Sequence, residues 1–179
     1  MREQIRMNKV RFVLIARMQI TRATDYAVRA TIHLATIPVL VRVPGPDLAR
    51  AIGAPESFVS KVLQQLVQAG LVSSQRGMRG GFQLARRAAN ISLLEVVEAI
   101  EGPTQLNLCL PPESDCSRKD WCGTHPVWAE AQEALVKVLS EASIAELARA
   151  SNSNLAKLHH VLVPPDQVDS RASRRGTGG

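Results

Sequence analysis

Aromatic side chains are scarce in this 179-residue sequence: two Trp, one Tyr and three Phe make up 3% of it, against 45% hydrophobic residues overall. A core drawn from such a set is aliphatic. Long apolar runs are missing too. No segment approaches the roughly 20 apolar residues needed to span a bilayer. The run Phe12 to Ala16 is too short for the apolar centre of a signal peptide. Cysteines number only three, an odd count that, with no export signal, argues against a disulfide framework and for a reducing compartment. The expectation is a soluble cytoplasmic protein with no membrane partner. Enzyme signatures are absent as well: there is no G-x-S-x-G, Walker loop or H-E-x-x-H. Gly77 to Gly81 is too short and wrongly placed for a dinucleotide fingerprint. The sequence does not read as an enzyme.

The few cysteines present are gathered. Cys109, Cys116 and Cys122 fall in one 14-residue window, and His125 follows at C-x6-C-x5-C-x2-H spacing. Thiols kept for packing would be spread along the chain. Soft thiolates with at most one imidazole suit zinc or an iron–sulfur cluster rather than a hard cation. A third possibility keeps the thiols metal-free as a redox switch, with Arg118 and Lys119 near Cys116 favouring thiolate.

Charge is uneven. The net charge is +6. Residues 1–17 hold five bases against Glu3, and residues 55–90 hold Lys61, Arg76, Arg79, Arg86 and Arg87 against Glu56. Residues 91–163 instead carry ten acids and five bases. A basic half beside an acidic half suggests one face turned to a polyanion.

Periodicity places the elements. Apolar or small residues at Ala23, Tyr26/Ala27, Ala30 and Leu34 predict a first helix. After the breakers Pro38, Pro44, Gly45 and Pro46, Asp47 to Ile52 forms a short helix, and Gly53 ends it as a left-handed residue does. Pro55 opens the next helix at its first turn. That helix sets Phe58, Val59, Val62, Leu63, Leu66 and Val67 on one face, with Ser57, Ser60, Lys61, Gln64 and Gln68 on the other. Gly70 closes it. Leu71–Ser74 and Phe82–Leu84 then read as two short strands around a tip of three Gly and two Arg. A helix-turn-helix followed at once by a basic Gly-rich hairpin is a winged helix. Its polar helix face suits a major groove, and its tip suits phosphates or a minor groove. By helical geometry Ser57 and Gln64 are candidate base readers.

Ser92–Glu95 is a capping box for a helix running to about Ile100, stopped by Gly102-Pro103. Beyond the cysteine loop, Thr124 and Pro126 signal a long helix bearing Trp128, Ala131, Leu135, Val138, Leu139 and Ala142. Ser143–Glu146 then starts a separate short helix. A continuous aliphatic stripe on a helix outside the main core either pairs with its twin or packs back on its own domain. The tail from Pro164 has the composition of a disordered segment.

With these motifs in this order, the chain from about Met18 to Ala150 resembles the IscR/NsrR-type dimeric winged-helix transcription regulators, many of which carry iron–sulfur clusters. The resemblance rests on Met18–Arg29, the helix-turn-helix, the wing string Gly70–Ala85, the segment Ile91–Gly102, the triple-cysteine loop and Ser143–Leu147. It implies a fold that is mainly α with a small β-hairpin, and a homodimer whose long helices cross. It implies an iron–sulfur cluster on Cys109, Cys116 and Cys122, 2Fe-2S before 4Fe-4S, with zinc as the alternative. The fourth ligand is His125, as in the IscR-like branch, or Asp25 from the other subunit, as in the NsrR-like branch. Carried over by position, Ser60 and Lys61 read bases and Arg76 enters the minor groove, while Arg79, Arg22 and Arg86 are phosphate contacts. Ser60-Lys61 departs from the Glu-Gln pair of the IscR-like branch, so the resemblance does not carry that branch's operator over to this chain. The implied activity is regulation, most simply repression, at a double-stranded DNA operator in response to iron–sulfur status, nitric oxide or redox state. The implied organisation is an extension at 1–17, a winged helix-turn-helix at 18–104 and a cluster loop at 105–125. A dimerisation helix with a short following helix spans 126–163, before a tail at 164–179. Met18 sits where such proteins usually begin, so the expected start is Met18, the alternative being that 1–17 is a basic arm adding non-specific DNA affinity.

Overall fold

The computed structural model describes residues 20–77, 80–111 and 114–162, with side chains described as far as 153. The expectations for residues 1–17, Met18, Arg79 and the tail from Pro164 lie outside the described residues. The fold is mainly helical with one two-stranded hairpin, in the order α1 (Arg22–Thr36), α2 (Gly45–Ile52), α3 (Glu56–Gln68), β1 (Val72–Gln75), β2 (Gly81–Leu84), a 3-10 turn (Ala88–Asn90), α4 (Leu93–Glu101), α5 (His125–Glu141) and α6 (Ile144–Leu162).

Helix α1 is the hub. Thr21 caps it by accepting from the Thr24 N–H, and its buried stripe is Thr24, Ala27, Ala30, Thr31 and Leu34. These are mostly small residues, so neighbours come close: α2, α3, α4, α6 and β2 all pack on it. The buried Thr31 hydroxyl is satisfied within the helix by the Ala27 and Val28 carbonyls, each at 3.0 Å. Gly53, at φ +66, turns α2 into α3 as predicted. Pro55 stands one place earlier than expected: it is the N-cap of α3, with extended ψ, because a residue between two helices must leave helical geometry. Leu48, Leu63 and Leu66 are fully buried with Val59 and Val62, each large side chain contributing about 1.5–3 kcal/mol. Aliphatic residues do fill the core.

Gly70, at φ +69, ends α3, and the Leu71 N–H reaches back to the Leu66 carbonyl at 2.9 Å, aiming the chain into β1. The strands pair antiparallel in the register Val72↔Leu84, Ser73↔Gln83, Ser74↔Phe82 and Gln75↔Gly81. The sequence predicts two strands, yet a third piece joins them. Val43 exchanges both backbone hydrogen bonds with Phe82 at 2.9 Å. A single bridging residue leaves no alternation to read. Gly81 is obligatory here, since a Cβ would stand 2.6 Å from the Val43 carbonyl oxygen at a φ of +143.

The capping box at Ser92 forms as predicted, and so does the one at Ser143. The two helix starts are clasped to each other: Ser92 and Ser143 bridge, with Leu93 N–H to Ala142 C=O at 2.8 Å and Ile144 N–H to Ile91 C=O at 2.9 Å. Helix α6 is not short. It runs for 19 residues, because no Gly or Pro interrupts the chain between Ser143 and Pro164. Its first turns bury Ile144 and Ala148, and the helix packs on α1. Helix α5 touches mainly α4 and buries none of its residues.

Candidate nucleic-acid interface and cysteine loop

The candidate reading face lies on the second helix of the helix-turn-helix. Burial of Val59, Val62, Leu63 and Leu66 fixes the rotation of α3, so Ser57, Ser60, Lys61 and Gln64 are exposed together. Ser60 donates its hydroxyl to the Glu56 carbonyl at 2.9 Å. Phe58 is held edge-on by Tyr26 of α1, with ring centroids 6.2 Å apart, tying the start of α3 to the hub. Arg76 is exposed beyond β1 at the wing tip. Arg86 is engaged instead: its Nη2 pairs with Glu95 at 2.7 Å. Burial would raise the Glu95 carboxyl, but hydrogen bonds from the Ser92 backbone and Arg86, with the Arg86 charge, hold it below the usual range. Arg22 is exposed at the start of α1.

The cysteine loop leaves α4 at Gly102 and is fastened near its start to both flanking helices. The Thr104 N–H donates to Glu98 Oε1 at 3.0 Å. Gln132 of α5 accepts from the Leu106 N–H at 2.8 Å and donates to the Thr104 carbonyl at 2.6 Å. Beyond Leu106 the described chain makes tight turns: Ser114 donates its hydroxyl to the Cys109 carbonyl at 2.9 Å, Lys119 N–H reaches Cys116 C=O, and His125 N–H reaches Cys122 C=O. All three cysteines are free and partly buried. Cys122 Sγ lies 3.2 Å from Thr124 Oγ1. This contact, with backbone N–H bonds from Thr124 and His125, lowers the thiol pKa. Thr124 is the N-cap of α5, but it makes no side-chain cap bond. Among the described residues His125 Nε2 is buried with no hydrogen-bond partner, an unusual state for an imidazole nitrogen. Asp25 is paired with Arg29 one turn along α1 at 2.8 Å. Among the described residues no three His, Cys, Asp or Glu side chains gather closely enough to hold a metal ion. The tight turns set each thiol by its own local geometry.

Sequence reading missed what holds loop and hub together. Glu101, the last residue of α4, accepts from the Thr21 N–H at 3.2 Å, the Thr21 hydroxyl at 2.7 Å and the Thr24 hydroxyl. Burial would raise this carboxyl, but the threonine hydrogen bonds outweigh it and lower its pKa. The local trace of this junction is slight: an N-cap at Thr21 and a buried Thr24 on the inner side of α1. Their partner lies 77 residues away from Thr24, beyond any local pattern.

A short helix, a glycine turn, an exposed polar second helix and a hairpin with an arginine at its tip define a winged helix-turn-helix DNA-binding regulator. Residues 20–150 match Rrf2, described as iron-dependent transcriptional regulator, and the chain belongs to this family. It is 38% identical over 135 residues to protein aau3 of Rhizobium meliloti strain 1021, covering 74% of this chain and 86% of that protein. With the HTH-type transcriptional regulator IscR of Xenorhabdus nematophila it shares 31% over 161 residues, 90% of this chain and 93% of that one. Two solved structures share the fold at 23% identity: CymR (YrzC), the global cysteine regulator of B. subtilis, with a TM-score of 0.61 over 75% of this chain and 98% of that chain, and T. potens IscR, with 0.60 over 75% and 88%. The chain is a transcriptional regulator and not an enzyme. Among the described residues no helix is long and apolar enough to cross a membrane.

Proposed function

We propose that the chain is a homodimeric, cytoplasmic operator-binding repressor whose grip on DNA depends on an iron–sulfur cluster held by Cys109, Cys116 and Cys122. The observation that carries this reading is the donor set in one loop: three free thiols, with a buried His125 Nε2 that has no partner among the described residues. His125 is our preferred fourth ligand. Asp25 of the partner subunit is the alternative, and would have to exchange its Arg29 contact for the metal. When bound, a cluster with only three thiolates supplies a centre open to nitric oxide, oxygen and iron scarcity.

The protein's own residues supply the reading and the coupling. Ser57, Ser60, Lys61 and Gln64 read base edges, Arg76 enters the minor groove, and Arg79 adds a phosphate contact. Helix α5 supports the dimer assignment, because Val127, Trp128 and Val138 are 62, 40 and 65% exposed on a helix with no buried residue. Two α3 helices must match half-sites about 34 Å apart, so a small shift at the dimer seam changes the fit. Gln132 joins the cysteine loop to α5, and Glu101 joins α4 to α1; both lie on the path from loop to seam.

A second reading, a metal-free thiol switch, is favoured by one fact: the free thiols are not gathered among the described residues, whereas a structural zinc, the other alternative, would need the same gathering as a cluster. Anaerobic purification separates the readings. Iron with visible absorbance, and DNA affinity that changes when the cluster is removed, is the expected result. A colourless protein without iron that binds DNA overturns the cluster reading. Identical affinity with and without the cluster overturns sensing.

A further inference from the structure

The wing carries an unmatched positive charge that the helix-turn-helix pattern does not announce. Arg42 precedes the bridging Val43, and the register that pairs Val43 with Phe82 sets Arg42 against Gln83, which pairs in turn with Ser73. Residues opposite one another in a sheet share a face. Arg42, Gln83 and Ser73 therefore form one polar row across the wing, on the face opposite Val43, Phe82 and Val72. Gln75 continues that face toward the tip. No acid stands in the row.

Arg42 Nη1 is withdrawn from solvent and has no hydrogen-bond partner among the described residues, and the same is true of Ser73 Oγ. Arg29, Arg50 and Arg86 each pair with a carboxylate; among the described residues Arg42 has no such partner. A guanidinium nitrogen held out of water without an acceptor is costly, and oxyanions are the acceptors a half-buried guanidinium fits best.

We propose that Arg42, with Ser73 in the same row beyond Gln83, is a phosphate clamp for the DNA backbone, extending the interface from the wing tip onto the sheet. It positions the wing and does not read sequence. The proposal rests on the chain binding duplex DNA through α3 and the wing. The chemistry recognised is a phosphate oxyanion, and the test must separate a backbone phosphodiester from a small free anion.

The experiment measures affinity by fluorescence anisotropy for an operator duplex selected from a random pool and for a scrambled duplex of equal length, over a salt series. It compares the wild type, Arg42→Gln and Arg42→Lys, with thermal melts in the presence and absence of inorganic phosphate. Arg42→Gln is expected to weaken both duplexes by a similar factor, about tenfold, and to flatten the log–log salt slope by about 0.9 per protomer. Arg42→Lys should keep the slope. Equal affinity and slope for Arg42→Gln and wild type, with matching melts, overturns the clamp. A loss confined to the selected operator also overturns it, since that is base reading. Phosphate-dependent stabilisation that vanishes in Arg42→Gln while duplex affinity stays unchanged overturns it in favour of a free anion. If the wild type itself binds no duplex, the failure lies in the reading of α3 and the wing.

Discussion

Glu101 accepts its hydrogen bonds from the first turn of α1 at the point where the chain departs for the cysteine loop. Its carboxyl sits below the ordinary glutamate value of 4.5 in the fold. The stabilisation it gives is therefore complete above that value and is lost as pH falls through the lower, folded-state pKa. Thermal melts from about pH 5 down to about pH 3 should fall more steeply for the wild type than for Glu101→Gln; parallel curves would exclude this role. At Gly81 the constraint is steric. A side chain meets the Val43 carbonyl and must also adopt a positive φ, so Gly81→Val should cost about 2 kcal/mol in urea denaturation. An unchanged midpoint would show that the Val43 bridge gives way freely. Under the cluster reading, Cys116→Ala should remove the visible chromophore from anaerobically purified protein, and surviving colour would dismiss Cys116 as a ligand.

Helices and turns were legible in the sequence where the cause is local. Gly53 and Gly70 adopt positive φ, both capping boxes form, and the alternation of Val59, Val62, Leu63 and Leu66 with Ser60, Lys61 and Gln64 sets the rotation of α3. What escaped notice depends on distant partners: the Val43–Phe82 bridge, the clasp of Ser92 to Ser143, and the Gln132 brace on Thr104 and Leu106. The candidate site divides the same way. An exposed reading face follows from helical period alone, whereas three thiols close in sequence do not by themselves converge in space. Helix α5 is the element whose pattern was seen and whose burial is missing. If it forms the dimer seam, Val138→Glu should shift the protein from dimer to monomer in sedimentation velocity. A dimer that persists at low micromolar concentration would move the seam elsewhere.

The whole molecule divides by charge, basic over residues 55–90 and acidic over 91–163. Attraction to phosphate is therefore concentrated on the winged half, and binding to any duplex should fall steeply with salt. Lys61→Ala should weaken the selected operator more than a scrambled duplex, since its position on α3 is one for base reading; equal losses on both would reduce it to a phosphate contact.

Because Ser92 and Ser143 are clasped, the 50 residues from 93 to 142 start from and come back to the same spot, with α4 packed on α1 on the way. That stretch is an excursion with its two feet pinned together. Its outer part, the cysteine loop and α5, can therefore change length or composition from one relative to another while the strands and helices that meet DNA keep their seating. In such a design a single reading head serves many different detectors.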